Sequence, residues 1–458
     1  MSAPPHRRML PDAPSRRGWC PSLARPMPTG DGLLARVHPP LGMLSLEQAR
    51  VVARGARHFG NGHLDLTARA NLQIRGVSEA SSAPLAGLLT EAGLGDRRAD
   101  GGPQRLTLTQ PRAGQDPTEV IDVPALARAI EAAALDIPGL PAKTLVVVEG
   151  RPDVTAPEAD CLVTARDAGF VDVAIAAADR MHTVTDCTAT EAPAVVSALL
   201  AAFARTGRRR MRDLSEAERA ALLDSVAAAV GHQDRQTGPA TRSALPLCAG
   251  GGTRDVSFAP ATGRDESGSV QMLTVDAPFG RCTAAALDRV VSAAEAIGAD
   301  AIRLSPTRGF VLLASAGVPA VAALADLATD FIVAPDDPRR SVDACTGAPG
   351  CASGSTATLL DAERLAQDFR PLAAQGLAAH VSGCAKGCAR PGPADLTLIG
   401  SQGRYGIVLG GAPGDEPAIH LPIEAVLDRL GRAKTGGLAA AFAPNMAWPD
   451  DGGDGRPA

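Results

Sequence analysis

Residues 38 to 77, HPPLGMLSLEQARVVARGARHFGNGHLDLTARANLQIRGV, align without a gap onto residues 276 to 315, DAPFGRCTAAALDRVVSAAEAIGADAIRLSPTRGFVLLAS, at a constant offset of 238. Pro40 and Gly42 fall on Pro278 and Gly280, Val52 on Val290, Gly60 on Gly298, and the apolar pair Leu64 and Leu66 on Ile302 and Leu304. Each copy reads as turn, helix, strand, strand. In the first, Ser45 followed three residues later by Gln48 predicts a helix start with a capping box, Gly60 or Gly62 predicts its end, and LDL and LQI alternate as half-buried strands. A second pair of stretches, ADCLVTARDAGFVDVAIAA from Ala159 and ADLTLIGSQGRYGIVLGG from Ala394, aligns at the similar offset of 235, with Phe170 opposite Tyr405. Two nearly equal offsets predict a duplicated α+β chain. The plainer alternative is that glycine-punctuated α+β segments resemble one another by chance.

A chain of 458 residues exceeds what one core supports and predicts about three domains. Its hydrophobic fraction of 45% and charged fraction of 21% are those of a soluble globular protein, and no apolar run approaches the ~18 residues of a membrane span. No apolar segment follows the arginines and prolines of residues 1 to 18, so this stretch reads as a disordered tail and the protein as cytoplasmic. A net charge of -5 and an aromatic content of 3% argue against nucleic-acid binding.

Nine cysteines, an odd number in a long chain without an export signal, favour metal or redox chemistry over a disulfide framework. Cys20, Cys161, Cys187, Cys248 and Cys282 stand singly, and Cys161 reads as a buried hydrophobe. The other four form C-x5-C-x32-C-x3-C: Cys345 and Cys351 in CTGAPGC, Cys384 and Cys388 in SGCAKGC. Structural zinc prefers C-x2-C knuckles, whereas the wider spacings suit a 4Fe-4S cluster. Glycines at 347, 350, 383 and 387 permit close backbone approach. Four unrelated buried cysteines is the competing reading. Under the duplication Cys384 and Cys388 fall opposite Glu149 and Asp153, so one copy has the thiols and the other lacks them. A ligand cleft is expected across the interface between the copies.

C-x5-C followed by SGCxxGC resembles the cluster signature of the sulfite and nitrite reductases. LTARANLQIRG, residues 66 to 76, is similar to that family's arginine-bearing strand, and LPAKT, residues 140 to 144, to its lysine loop. The likeness covers roughly residues 19 to 440. It implies an α+β fold with two ferredoxin-like halves and two α/β domains of the cluster and tetrapyrrole type. The implied boundaries are a disordered tail 1–18, a first ferredoxin-like half 19–95, a first α/β domain without a cluster 96–235, a second half 236–340, a second α/β domain with the 4Fe-4S cluster 341–445, and a tail 446–458. Cys388 is the counterpart of the family's cysteine that bridges to siroheme iron.

Within the family, GWCPSLARPMPTGDGLLARV at residues 18 to 37 and the compact length resemble the branch that acts on precorrin-3A in the oxygen-dependent cobalamin pathway. That resemblance implies a monooxygenase hydroxylating a meso carbon with lactone closure, fed by an electron donor such as an NAD(P)H-linked reductase or ferredoxin. A polycarboxylate substrate calls for arginine forks. Arg69, Arg75, Arg105 and Lys143 are the expected substrate-binding residues, and Arg69 and Arg75, six apart, would share one face of a continuous strand. Each could instead be an ordinary surface cation. Leu145 stands where the reductases carry a second lysine, which weakens an anion site and fits uncharged oxygen. The resemblance also suggests a mononuclear non-haem iron, for which His38, His63, His182 and His380 are candidates by location only. No catalytic residue is identified. The basic run RTGRRRMRDL, residues 205 to 214, reads as a solvated helix face, or else as a receiver of substrate carboxylates or of an acidic donor. The alternatives are a ferredoxin-dependent reductase with siroheme and a non-catalytic iron-sulfur carrier.

Overall fold

Ser45 caps the first helix as its sequence predicts, its hydroxyl accepting from the Gln48 amide while the Gln48 side chain accepts from the Ser45 amide, at 3.0 Å each. In the computed structural model the described residues are 19–152, 159–178, 180–230, 245–246, 271–315, 317–318 and 321–443. The expected tails, Asp153 and Cys248 lie outside them.

The first block comprises β1 (Met27–Thr29), β2 (Gly32–Val37), β3 (Met43–Leu44), helix α1 (Leu46–Phe59), β4 (His63–Leu66), β5 (Leu72–Val77) and α2 (Glu79–Glu91). Antiparallel pairing gives the order β1-β2-β5-β4. The second block holds β6 (Thr107–Thr109), α3 (Val123–Ala134), β7 (Val146–Glu149), β8 (Cys161–Asp167), β9 (Phe170–Ala176), β10 (Arg180–Thr188), α4 (Ala192–Arg205), α5 (Glu216–Val230) and the short β11 (Leu245–Pro246). Here β6, β7 and β8 are parallel and β9 and β10 return antiparallel.

Both plans recur. The third block has β12 (Gln271–Asp276), β13 (Arg281–Thr283), α6 (Ala284–Ala296), β14 (Ile302–Ser305), β15 (Gly309–Ala314) and the short α7 (Val321–Ala325). The fourth has β16 (Val342–Ala344), α8 (Thr358–Ala373), β17 (Ala379–Ser382), β18 (Ala394–Ser401), β19 (Arg404–Gly411), β20 (Ile419–Leu421) and α9 (Ile423–Ala441), with β16, β17 and β18 parallel and β19 and β20 antiparallel. The repeat reaches individual dihedral angles. Leu41 (φ 52°) and Phe279 (φ 55°) are both left-handed, as are Ala70 (φ 50°) and Arg308 (φ 66°), each pair separated by the same 238 residues. Left-handed backbone at non-glycine residues is uncommon, so two such coincidences at one offset mark the turns as copies.

The first and third blocks exchange strands: β13 pairs with β4 and completes the first sheet, while β3 pairs with β14 and completes the second. Helices α1 and α6 pack on each other through small buried residues, among them Ala49, Ala53, Ala56, Ala286, Ala293 and Ala294. Buried residues from Leu23 to Ala314 and on to Phe331 in the first three blocks form one apolar core, and buried residues from Val342 to Phe442 of the fourth block form a separate one, with Phe279 packing against it from the third block. Ser45→Ala should remove the cap and cost about 1 kcal/mol of stability, read as a lower midpoint in thermal unfolding.

Candidate functional site

A cleft of about 420 Å³ opens on the first block, lined by residues between Trp19 and Leu145. Arg36 and His38 enter it from the end of β2, Arg69 from the turn between β4 and β5, Arg105 from the segment before β6, and Lys143 with Leu145 from the turn before β7. Arg69, Arg105 and Lys143, expected from the sequence, thus come together. The sequence reading missed Arg36 and Asn71, and named His38 only as a candidate iron ligand. A lone cation inside the apolar strand LLARV was the available signal for Arg36.

Backbone carbonyls hold this group in place. Arg105 donates from Nη1 to the Pro39 and Ala70 carbonyls at 2.9 Å each and from Nη2 to the Arg69 carbonyl, and Arg69 donates to the Lys143 carbonyl at 2.8 Å. Arg36 donates to the Gln73 side-chain carbonyl at 2.6 and 3.1 Å, the amide being oriented by that pairing. Carbonyls orient a guanidinium without neutralising it. Burial, opposed by Glu131 and reinforced by Arg69, lowers Arg105 to about 10. Burial also lowers Arg36 and Lys143. His38 is pushed well below its ordinary value by burial and then by Arg36 and Arg105, so its imidazole is neutral at pH 7.

Among the lining residues the one carboxylate is Asp100, committed to Arg98. Asn71, 7% exposed, has a buried side-chain oxygen without a hydrogen-bond partner. Cations gathered with little counter-charge, beside an orphaned acceptor, suit an anionic ligand that also offers a donor. The segment before β1 closes one wall, with Asp96 accepting from the Leu23 and Ala24 amides at 3.1 and 2.7 Å and the Arg25 guanidinium 4.3 Å over the Trp19 ring.

Two expectations are corrected. Arg75 does not line the cleft: the left-handed Ala70 breaks the strand, so Arg69 sits in a turn and Arg75, 3% exposed, is buried among Asp31, Asp65 and the Gly350 carbonyl. The described cleft also lies wholly within the N-terminal half, because the twofold interface is filled by α1 against α6 and by the exchanged strands. One void lined by residues of both halves, among them Leu41, Gly42, Met43, Arg303 and Leu304, has a volume of about 10 Å³, room for a single water.

The cysteine loops leave the C-terminal ends of β16 and β17, which are adjacent and parallel with Ala344 opposite Val381. The crossover through α8 therefore brings the two cysteine loops, separated by 32 residues of sequence, side by side. The Gly383 amide donates to Cys345 Sγ at 3.1 Å. Gly347, at φ 58°, packs so closely that a Cβ there would lie 2.2 Å from Thr358 Oγ1, and that hydroxyl donates to the Cys345 carbonyl at 2.5 Å. Burial raises the Cys384 thiol, and Cys345 and Cys351 raise it further. Burial pushes Cys388 up to about 11, Lys386 opposing and the other three thiols adding to the rise.

Two adjacent cysteine loops, an amide aimed at sulfur and a glycine cradle fit a 4Fe-4S cluster. Among the described residues no three His, Cys, Asp or Glu side chains close around a single metal ion. The candidate histidines are dispersed: His38 in the cleft, His63 on β4, His182 exposed on β10, and His380 fully buried on β17 with both ring nitrogens unpartnered and its pKa pushed down to about 4 by burial. These positions assemble no ligand set for a mononuclear iron. The basic run spans the end of α4 and the turn after it rather than a helix face, with Arg210 paired to the buried Asp160 and Arg208 to Glu218.

Comparison with known proteins agrees with this geometry. The nitrite/sulfite reductase ferredoxin-like half domain matches residues 25–92. The chain belongs to the nitrite and sulfite reductase family and is an enzyme of oxidoreductase type. It is 34% identical to a precorrin-3B synthase of Sinorhizobium sp over 92% of this chain and 89% of that one. It is 36% identical to the sulfite reductase [NADPH] hemoprotein beta-component of Xanthomonas euvesicatoria pv. vesicatoria, over 30% of this chain and 27% of that one. Its fold matches the Mycobacterium tuberculosis NirA protein with a TM-score of 0.62 at 20% identity, covering 88% of this chain and 80% of that one. No described helix is long and apolar enough to cross a membrane.

The cleft carries a stability cost that can be measured. Arg36→Met should raise the stability of the ligand-free protein by about 1 kcal/mol, because it removes a half-buried cation that has no carboxylate partner. The same variant should be stabilised less by an added tetrapyrrole polycarboxylate, and both effects read out as shifts in melting temperature.

Proposed function

We propose that the protein is an oxygen-dependent monooxygenase that converts precorrin-3A to precorrin-3B, hydroxylating a meso carbon while a neighbouring acetate closes a lactone, in aerobic cobalamin biosynthesis. The observation that carries this reading is the cleft in which Arg36, Arg69, Arg105 and Lys143 meet with Asp100 as the one lining carboxylate. The end-to-end likeness to a precorrin-3B synthase supports the choice of substrate.

In this reading one atom of molecular oxygen enters the macrocycle and the other leaves as water, at the expense of two electrons and two protons. A 4Fe-4S cluster bound by Cys345, Cys351, Cys384 and Cys388 would relay those electrons from an NAD(P)H-linked reductase or a ferredoxin. The chain's own residues bind and orient. Arg69 and Lys143 meet substrate carboxylates, Arg105 fixes the turn that carries Arg69, and Arg36 waits deeper beside the neutral His38. The Asn71 side-chain oxygen would accept from a macrocycle N–H. Trp19 and the segment after it exclude water along one wall.

A siroheme-dependent sulfite or nitrite reductase is the second reading, favoured by the partial match to a sulfite reductase. Leu145 speaks against it. It is 4% exposed and lines the cleft where that family's second lysine is expected. Losing a close cation from a desolvated anion site costs several kcal/mol, and each ~1.36 kcal/mol is tenfold in rate, so sulfite reduction should be slower by orders of magnitude.

Reconstituted protein incubated with reductant and precorrin-3A under labelled oxygen should place label in the tetrapyrrole. Rapid six-electron reduction of sulfite by the same preparation, with an unlabelled tetrapyrrole, would overturn the assignment in favour of the reductase. Arg69→Ala should weaken precorrin-3A binding by roughly 1 to 3 kcal/mol in a titration, and an unchanged affinity removes Arg69 from the substrate site.

A further inference from the structure

The cysteine-bearing block has its own apolar core, and a polar cluster joins it to the block that carries the cleft. At the centre is Arg75, on β5, 3% exposed. Its guanidinium donates to Asp31 from Nε (2.9 Å) and Nη2 (2.6 Å), to Asp65 from Nη1 (3.0 Å), and to the Gly350 carbonyl from Nη2 (2.5 Å). Gly350 adjoins Cys351, and the Gly30 amide donates to the same carbonyl at 3.0 Å. From the exchanged strand β13, Arg281 donates to both oxygens of Asp65 at 2.6 and 3.0 Å and to Thr346 Oγ1 at 3.2 Å. Thr346 adjoins Cys345. Two arginines and two aspartates thus grip the first cysteine loop at both of its ends.

We propose that Arg75, supported by Arg281, is a positioning residue for the cluster, clamping the loop between Cys345 and Cys351 onto the first ferredoxin-like sheet and the strand β13 that completes it. The inference rests on the reading of the four cysteines as cluster ligands. The cluster of charges is balanced, so its contribution is geometric: the planar Arg75 fork meets two carboxylates and a carbonyl at once, which a lysine ammonium on a flexible stem cannot reproduce. The second cysteine loop has a related anchor, since Arg308, in the turn that repeats Ala70, donates to the carbonyl of Ala389 next to Cys388. Both loops are therefore held by arginines from the ferredoxin-like halves in addition to contacts within their own block. A tenfold-scale preference for the closed loop is what one hydrogen bond to a charged donor supplies.

The test uses the full chain with its cluster reconstituted anaerobically and follows loss of the iron-sulfur absorbance to a ferrous chelator, beside the electron paramagnetic resonance spectrum of the reduced protein. Arg75→Met and Arg75→Lys should both lose the cluster about tenfold faster than wild type with an altered spectrum, the lysine failing to rescue because it lacks the fork. Thr346→Val alters only the hydroxyl in the loop, leaves the buried charges in place, and should speed loss about threefold. It keeps the test decisive if the Arg75 variants do not fold, which circular dichroism of the metal-free protein reports. Wild-type protein that takes up no iron and sulfide overturns the cluster reading itself. A cluster-bearing wild type whose Thr346→Val variant, and whose folded Arg75→Lys variant, release iron at the wild-type rate with the wild-type spectrum overturns the clamp alone.

Discussion

Each ferredoxin-like sheet ends on a strand borrowed from the other half, β13 beside β4 and β3 beside β14, and most of the molecule's asymmetry follows from how tightly this exchange closes the twofold. Backbone pairing across the exchange covers the edges of β4 and β14 at the junction. Alanines on α1 and α6 let those helices approach closely over the same axis. With its centre filled, the duplicated framework offers a ligand the flank of one half, where the turns before β5, β6 and β7 converge. Duplication supplied the frame, and divergence in those turns made the cleft.

The cleft and the cysteine loops handle buried charge in opposite ways. Around Arg75 and Arg281 the guanidinium groups face carboxylates at 2.6 to 3.0 Å, so charge is cancelled locally and the hydrogen bonds fix geometry. Around Arg36 and Arg105 the partners are carbonyl oxygens, which fix orientation while leaving positive charge to be met by a ligand. The first arrangement is suited to holding a rigid centre in register. The second is poised at a cost to the empty protein, a cost that binding of an anionic ligand would return.

The sequence reading of Arg75 went astray for a specific reason. Parity along a strand assigns residues to faces only while the strand is continuous, and the left-handed Ala70, a residue type rarely found in that conformation, bends the chain between Arg69 and Arg75. The basic run failed differently: Asp160 lies 50 residues from Arg210 in sequence, and nothing local signals that they pair. Asn71 was silent for the same reason, and His38 was named only by location, because their importance comes from what surrounds them.

By itself the sequence determined the features that are local or periodic: the capping box at Ser45, the repeat at an offset of 238, and the paired cysteines in glycine loops. Each of these depends on neighbours a few residues away, or on a repeated pattern that one chain displays in full. Tertiary structure alone decided that the two cysteine loops lie side by side, through the parallel pairing of β16 and β17, and that of the two arginines six residues apart one lines the cleft and the other hydrogen-bonds a cysteine loop. Charge partners, burial and the contents of an interface are fixed by contacts between distant segments, and that information exists only once the chain has folded.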